Sequence, residues 1–111
     1  MARAPKSATI EQITTTDLYE LDYEVPALTI SSPYLVLTNA SNNVIDVSIY
    51  INNTVNDFLI AREKIPGGIG KERYVKELST QKLNAGFKIK LQCTTADTFN
   101  AFLSVSEISN S

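Results

Sequence analysis

The sequence predicts an all-β fold: an antiparallel two-sheet β-sandwich, Ig-like or jelly-roll-like, of about eight strands. Three observations predict it. Short stretches alternate apolar and polar residues with a period of two. Polar turn residues interrupt them about every ten residues. The 111 residues suffice for one buried core without disulfide or metal staples. Strands of this length with one apolar face pack as two facing sheets, and closure into a barrel is less favoured.

The elements follow in order. Residues 1–8 read as a flexible N-terminal arm, because Pro5 prevents an early helix and Arg3 and Lys6 solvate the segment. Residues 9–111 read as a single β-sandwich domain. Its first strand, 9–14, is short and β-branched. In the second, 18–25, Leu18, Glu20, Asp22 and Glu24 alternate with Tyr19, Leu21, Tyr23 and Val25, and Pro26 ends it. Residues 27–31 form a third strand with Leu28 and Ile30 on one face. Pro33 opens a fourth, 34–39, with Leu35 and Leu37 inward.

Asn39-Ala-Ser-Asn-Asn43 is a turn, since Asn and Ser bond their own backbone. Strand 44–51 has the cleanest alternation, Ile45, Val47, Ile49 and Ile51 against Asp46, Ser48 and Tyr50. Asn52-Asn53 makes the next turn and 57–65 the next strand. Pro66-Gly67-Gly68-Ile69-Gly70 reads as a flexible surface loop. In 73–83, Tyr74, Val75 and Leu78 fit one helical turn or a short strand; the flanking strands favour strand or extended loop. Asn84-Ala85-Gly86 is a tight turn. Phe87, Ile89, Leu91 and Cys93 then face one way, and the last strand, 101–108, turns Leu103 and Val105 inward.

Composition excludes several classes. One cysteine, Cys93, permits no intrachain disulfide, so a disulfide scaffold is excluded. No apolar run reaches the length of a membrane span, and the N-terminus lacks an apolar signal core. Synthesis in a reducing host cytoplasm is expected, and the Asn39-Ala-Ser41 and Asn52-Asn-Thr54 sequons are then chance matches. Charge is uneven. From residue 11 to 57 there are seven acids and no Lys or Arg; from 58 to 90 there are eight bases and three acids. That asymmetry can orient a head-to-tail contact between copies, or it merely solvates strand faces.

Catalytic constellations are missing from the sequence. It contains no histidine, which removes the commonest general base and metal ligand. Cys93 lies in an inward row and reads as a buried structural thiol. Glu20, Asp22 and Glu24 lie on one face of one strand, an arrangement of neighbours rather than of partners across a cleft; no Asp-rich turn makes them a calcium loop. The Pro66–Lys71 segment lacks the spacing of a phosphate loop. Interspersed Glu63, Glu72 and Glu77 argue against a nucleic-acid groove. An enzyme, a cofactor, a metal, nucleic acid and a membrane are therefore not expected.

The string LYELDYEVPALTISSPYLVLTNASNNVIDVSIYIN, residues 18–52, resembles small β-sandwich virion structural proteins of tailed bacteriophages. The likeness continues in Phe58-Leu-Ile-Ala61, Lys64-Ile-Pro-Gly-Gly68, Leu83-Asn-Ala-Gly86 and Phe102-Leu-Ser-Val-Ser-Glu-Ile108, and covers about residues 16–108. Two departures are Phe87, where Asp often follows the glycine, and a longer insert from Gly70 to Gln81. The resemblance implies a non-enzymatic virion component, a capsid decoration or a head–tail, neck or tail part. Its expected partners are other virion proteins (major capsid, connector or tail subunits) and further copies of itself. The residues expected to make assembly contacts are Arg3 and Lys6 in the arm, Pro66, Gly67, Gly68, Ile69, Gly70 and Lys71 in the loop, and Arg73 and Tyr74 beyond it. The alternative is a carbohydrate- or ligand-binding sandwich, with Tyr19, Tyr23, Tyr50 or Tyr74 as its aromatic platform.

Overall fold

Eight strands form two antiparallel four-stranded sheets in the computed structural model, which describes residues 2–94 and 97–109, with side chains from Thr9 onward. In chain order these are β1 (Ala2–Ile13), β2 (Tyr19–Glu24), β3 (Thr29–Asn39), β4 (Ile45–Asn52), β5 (Asp57–Ile65), β6 (Glu72–Tyr74), β7 (Lys88–Cys93) and β8 (Phe99–Ser109). A single helical turn, α1 (Lys76–Ser79), follows β6. Sheet A has the order β1-β8-β3-β6 and sheet B the order β2-β7-β4-β5. The first strand pairs with the last, the second with the seventh, the third with the sixth and the fourth with the fifth. That is one long antiparallel ribbon rolled on itself, the jelly-roll form of the expected sandwich.

The core lies between the sheets. Sheet B contributes Leu21, Tyr23, Val25, Ile45, Val47, Ile49, Ile51, Ile89, Leu91 and Cys93; sheet A contributes Leu35, Leu37, Phe99, Ala101, Leu103 and Val105. Each fully buried aliphatic or phenyl side chain favours folding by about 1.5–3 kcal/mol over its exposed state. Val75, Leu78 and Leu83 close the side of the sandwich between β5 and β6, all buried. Most of the expected inward rows hold, and Cys93 is buried with its thiol donating to Thr15 O at 3.2 Å.

Three local expectations are corrected and one is completed. Strands 27–31 and 34–39 are one strand, β3, running through Pro33. Ser31 N donates to Leu83 O (2.8 Å) and Val75 N donates to Leu35 O (3.0 Å), so odd-numbered residues of β3 direct their backbone away from β8. The missing N–H of Pro33 falls in the gap between these two contacts and breaks no ladder bond to β8. Second, Leu28 and Ile30 share one face as expected, and that face is the outer one, the buried residues of the stretch being Thr29 and Ser31. Third, the 73–83 segment holds a helical turn rather than strand throughout, because Val75 and Leu78, three apart, both reach the core. Fourth, the backbone from Ala2 continues β1 against β8, from Ala2 opposite Ser109 to Ile13 opposite Phe99, where a separate arm was expected.

Candidate assembly surface

The expected contact residues fall on two opposite edges of sheet A. Arg3 and Lys6 lie on β1, with backbones opposite Ile108 and Val105; their side chains lie outside the described set. Arg73 and Tyr74 lie on β6, opposite Leu37 and Val36. Two strands separate the groups.

The 66–71 loop joins β5 to β6 and is held in one shape by Asn39, itself buried. The Asn39 amide donates to Asn43 O at 2.6 Å and to Pro66 O at 2.9 Å, while its oxygen accepts from Ser41 N at 2.7 Å. The backbone adds Asn39 N to Lys71 O (2.7 Å), Gly70 N to Asn39 O (2.8 Å) and Gly68 N to Ser41 O (3.2 Å). A Cβ on Gly67 would stand 2.5 Å from Asn42 O, so the loop packs backbone to backbone against the preceding turn. The flexible loop of the sequence reading is thus a fastened one, with Ile69 at its tip, 75% exposed.

A surface that the sequence reading missed lies between the two edges. Ile10 stands opposite Phe102, Phe102 opposite Val36, and Val36 opposite Tyr74. Directly paired residues share a face of the sheet. Because Ala101, Leu103, Leu35 and Leu37 point into the core, this row points out. It crosses sheet A from edge to edge on the solvent side. Ile10 is 71% exposed, and Phe102 and Val36 are half-buried. Tyr34 stacks on Tyr74, ring centroids 4.7 Å apart, and extends the row along β3. The signal was present in the chain: Tyr34-Leu-Val-Leu37 and Ala101-Phe-Leu103 are apolar on both faces of their strands, as is usual for strands covered on both sides.

Charge divides the sandwich sideways. Glu11, Asp17, Glu20, Asp22 and Glu24 lie on the β1–β2 side. Arg62, Lys64, Lys71, Arg73 and Lys76 lie on the β5–β6–α1 side, with Glu63, Glu72 and Glu77 among them. The division is not complete: Arg3 and Lys6 lie on β1, and Lys88 of β7 meets Glu20 (3.4 Å) and Glu24 (3.5 Å), while Lys90 of β7 meets Asp57 at the start of β5 (3.1 Å). On the acidic side the Glu11 carboxylate accepts from Tyr19 Oη (2.7 Å) and Asp22 N (2.8 Å), covering an edge N–H of β2. That bond, then burial, raises the Tyr19 phenol above its ordinary value.

No protein-family model and no curated protein matches the chain. Solved structures do. A protein of the Bacillus endospore appendages, which are disulfide-linked pili, superposes with a TM-score of 0.60 at 8% identity, over 98% of this chain and 89% of that one. The core of Drosophila NLP, a structure described for pentamer formation and histone binding, gives 0.55 at 10% identity, over 91% and 98%. A protein of infectious bursal disease virus is more distant, at 0.41 and 11% identity, over 98% of this chain and 32% of that one. At such identities the first two likenesses establish the fold.

Proposed function

We propose that this chain is a non-enzymatic structural subunit of a multi-copy particle, the virion of a tailed phage, and that it contacts neighbouring subunits through the outer face of sheet A and the edges beside it. One observation carries the reading: the apolar row Ile10–Phe102–Val36–Tyr74, edge to edge on a face turned to solvent. A sheet face that meets only water has no reason to carry a phenylalanine, an isoleucine, a valine and a stacked tyrosine pair in register; covered by a neighbour, that row is ordinary interface core. The sideways separation of acidic and basic residues supports head-to-tail contact between copies. The absence of histidine from the sequence supports a role without acid–base chemistry. The phage setting rests on the resemblance of residues 16–108. The buried Cys93 makes the disulfide linkage of the endospore pili an unsuitable way to join these subunits. Protein identification on purified particles tests the setting: the chain is expected in stoichiometric amounts, and particles that lack it contradict the proposal.

A further inference from the structure

We infer that the outer face of sheet B, on the opposite side of the sandwich from the apolar row, binds a neutral oligosaccharide. A groove of about 670 Å³ opens there, within the range of small-molecule sites. Its floor is Ser48 on β4, directly opposite Gln92 on β7 and Arg62 on β5. Thr16, Asp46 and Tyr50 also line it.

The chemistry of this lining selects the class of ligand. Gln92 is already oriented, its amide donating to Thr16 O at 3.2 Å. Its oxygen lies 3.5 Å from Tyr50 Oη, a long contact that leaves the phenol free to bond elsewhere. Among the described residues neither Asp46 nor Arg62 makes an ion pair. The groove therefore offers one carboxylate, one guanidinium, an amide oxygen and hydroxyls around a half-buried tyrosine ring. Donors and acceptors are mixed and the two charges balance. A phosphate or sulfate site would gather cations, and a metal site would gather carboxylates. A polyol needs the mixture present here, with a ring on which a sugar face can rest. The other tyrosines are occupied: Tyr23 is buried, Tyr19 is bonded to Glu11, and Tyr74 is stacked on Tyr34.

The test is titration of the isotope-labelled chain with cellotriose, maltotriose and chitotriose, and separately with inorganic phosphate, followed by amide chemical shifts. At least one trisaccharide is expected to saturate below about 10 mM and to shift residues of β4, β5 and β7. Tyr50→Ala is expected to weaken binding at least tenfold, Tyr50→Phe to keep most of it, and Arg62→Gln or Asp46→Asn to weaken it several-fold. All three positions face outward, so the fold is retained. Tyr34→Ala, on the other sheet, is expected to leave binding unchanged, which separates this site from the assembly face. No saturation by any of the three sugars, tighter binding of phosphate than of sugar, or full binding by Tyr50→Ala would each overturn the inference.

Discussion

At the residue scale, two buried side chains, Asn39 and Tyr23, use polar groups to tie separate segments of the fold together. Asn39 satisfies acceptors on two separate segments, Asn43 O and Pro66 O. Asn39→Ala would remove a buried amide that ties both segments together and leave the half-buried Pro66 O without its donor, and losing such bonds costs about 1–3 kcal/mol each. Chemical denaturation is expected to show a loss of about 2–4 kcal/mol, well beyond a surface substitution. Tyr23 joins the two sheets. Its hydroxyl donates to Glu107 Oε2 on β8 (2.6 Å) and lies 2.9 Å from Ser31 Oγ on β3. Burial, then the Glu107 bond, pushes its phenol well above the ordinary range. The folded state thus favours neutral Tyr23 more than the unfolded state does. The stability this confers is complete below about pH 10, the unfolded value, and is lost as pH rises toward the folded value. Tyr23→Phe is expected to lower stability at pH 7 by about 1–2 kcal/mol and to flatten its decline above pH 10, measured by urea unfolding at a series of pH values. Leu28 is a different case. It holds a left-handed φ of 58° while 66% exposed, so neither its backbone nor its burial favours leucine there.

At the element scale, most strands were legible because their inward rows alternate without interruption. β4 and β7 follow the period-two rule residue by residue. β3 was read as two strands because proline usually ends a strand, and only the tertiary gap opposite Pro33 removes its penalty. The helical turn at 76–79 was misread because four residues carry too little periodicity to separate helix from strand. The outward apolar residues of β1, β3 and β8 were invisible for another reason: alternation assigns one face to the core and says nothing of what covers the other. β5 adds a local feature. Ile49 pairs with Ala61 but Tyr50 pairs with Leu59, so Ile60 is an extra residue. This bulge leaves Phe58 and Leu59 exposed on an edge strand. Glu63 of β5 faces Glu77 of α1, whose Oε1 is buried without a hydrogen-bond partner among the described residues. Burial and the Glu77 carboxylate raise Glu63 above the ordinary carboxylate range. A shared proton would give that oxygen its bond, so this junction tightens as pH falls through the raised value and loosens above it. Glu63→Gln is expected to raise the melting temperature at pH 7 and to leave it nearly unchanged at pH 4. Equal effects at both pH values would mean that the two carboxyls do not interact.

At the scale of the whole molecule, the jelly roll separates two surfaces. Sheet A shows an apolar row to solvent, and sheet B shows a polar groove. The sequence supported the sandwich and the idea of contact between copies, but it placed that contact in a flexible arm, a flexible loop and Arg73 and Tyr74 beyond the loop. The structure instead continues the first segment into β1 and fastens the loop through Asn39. The sequence reading named Tyr74 but not the rest of the apolar row, because Ile10, Val36, Tyr74 and Phe102 are far apart in the chain and meet only through the register of four strands. The claim that this face grips neighbouring copies is tested most directly by the solution mass of the purified chain over a concentration series, beside the outward-facing double variant Ile10→Ser/Tyr34→Ser. The account predicts that the wild-type chain assembles as concentration rises while the variant, equally stable, stays a monomer. A wild-type chain that remains a monomer throughout, or a variant that assembles as the wild type does, would contradict it.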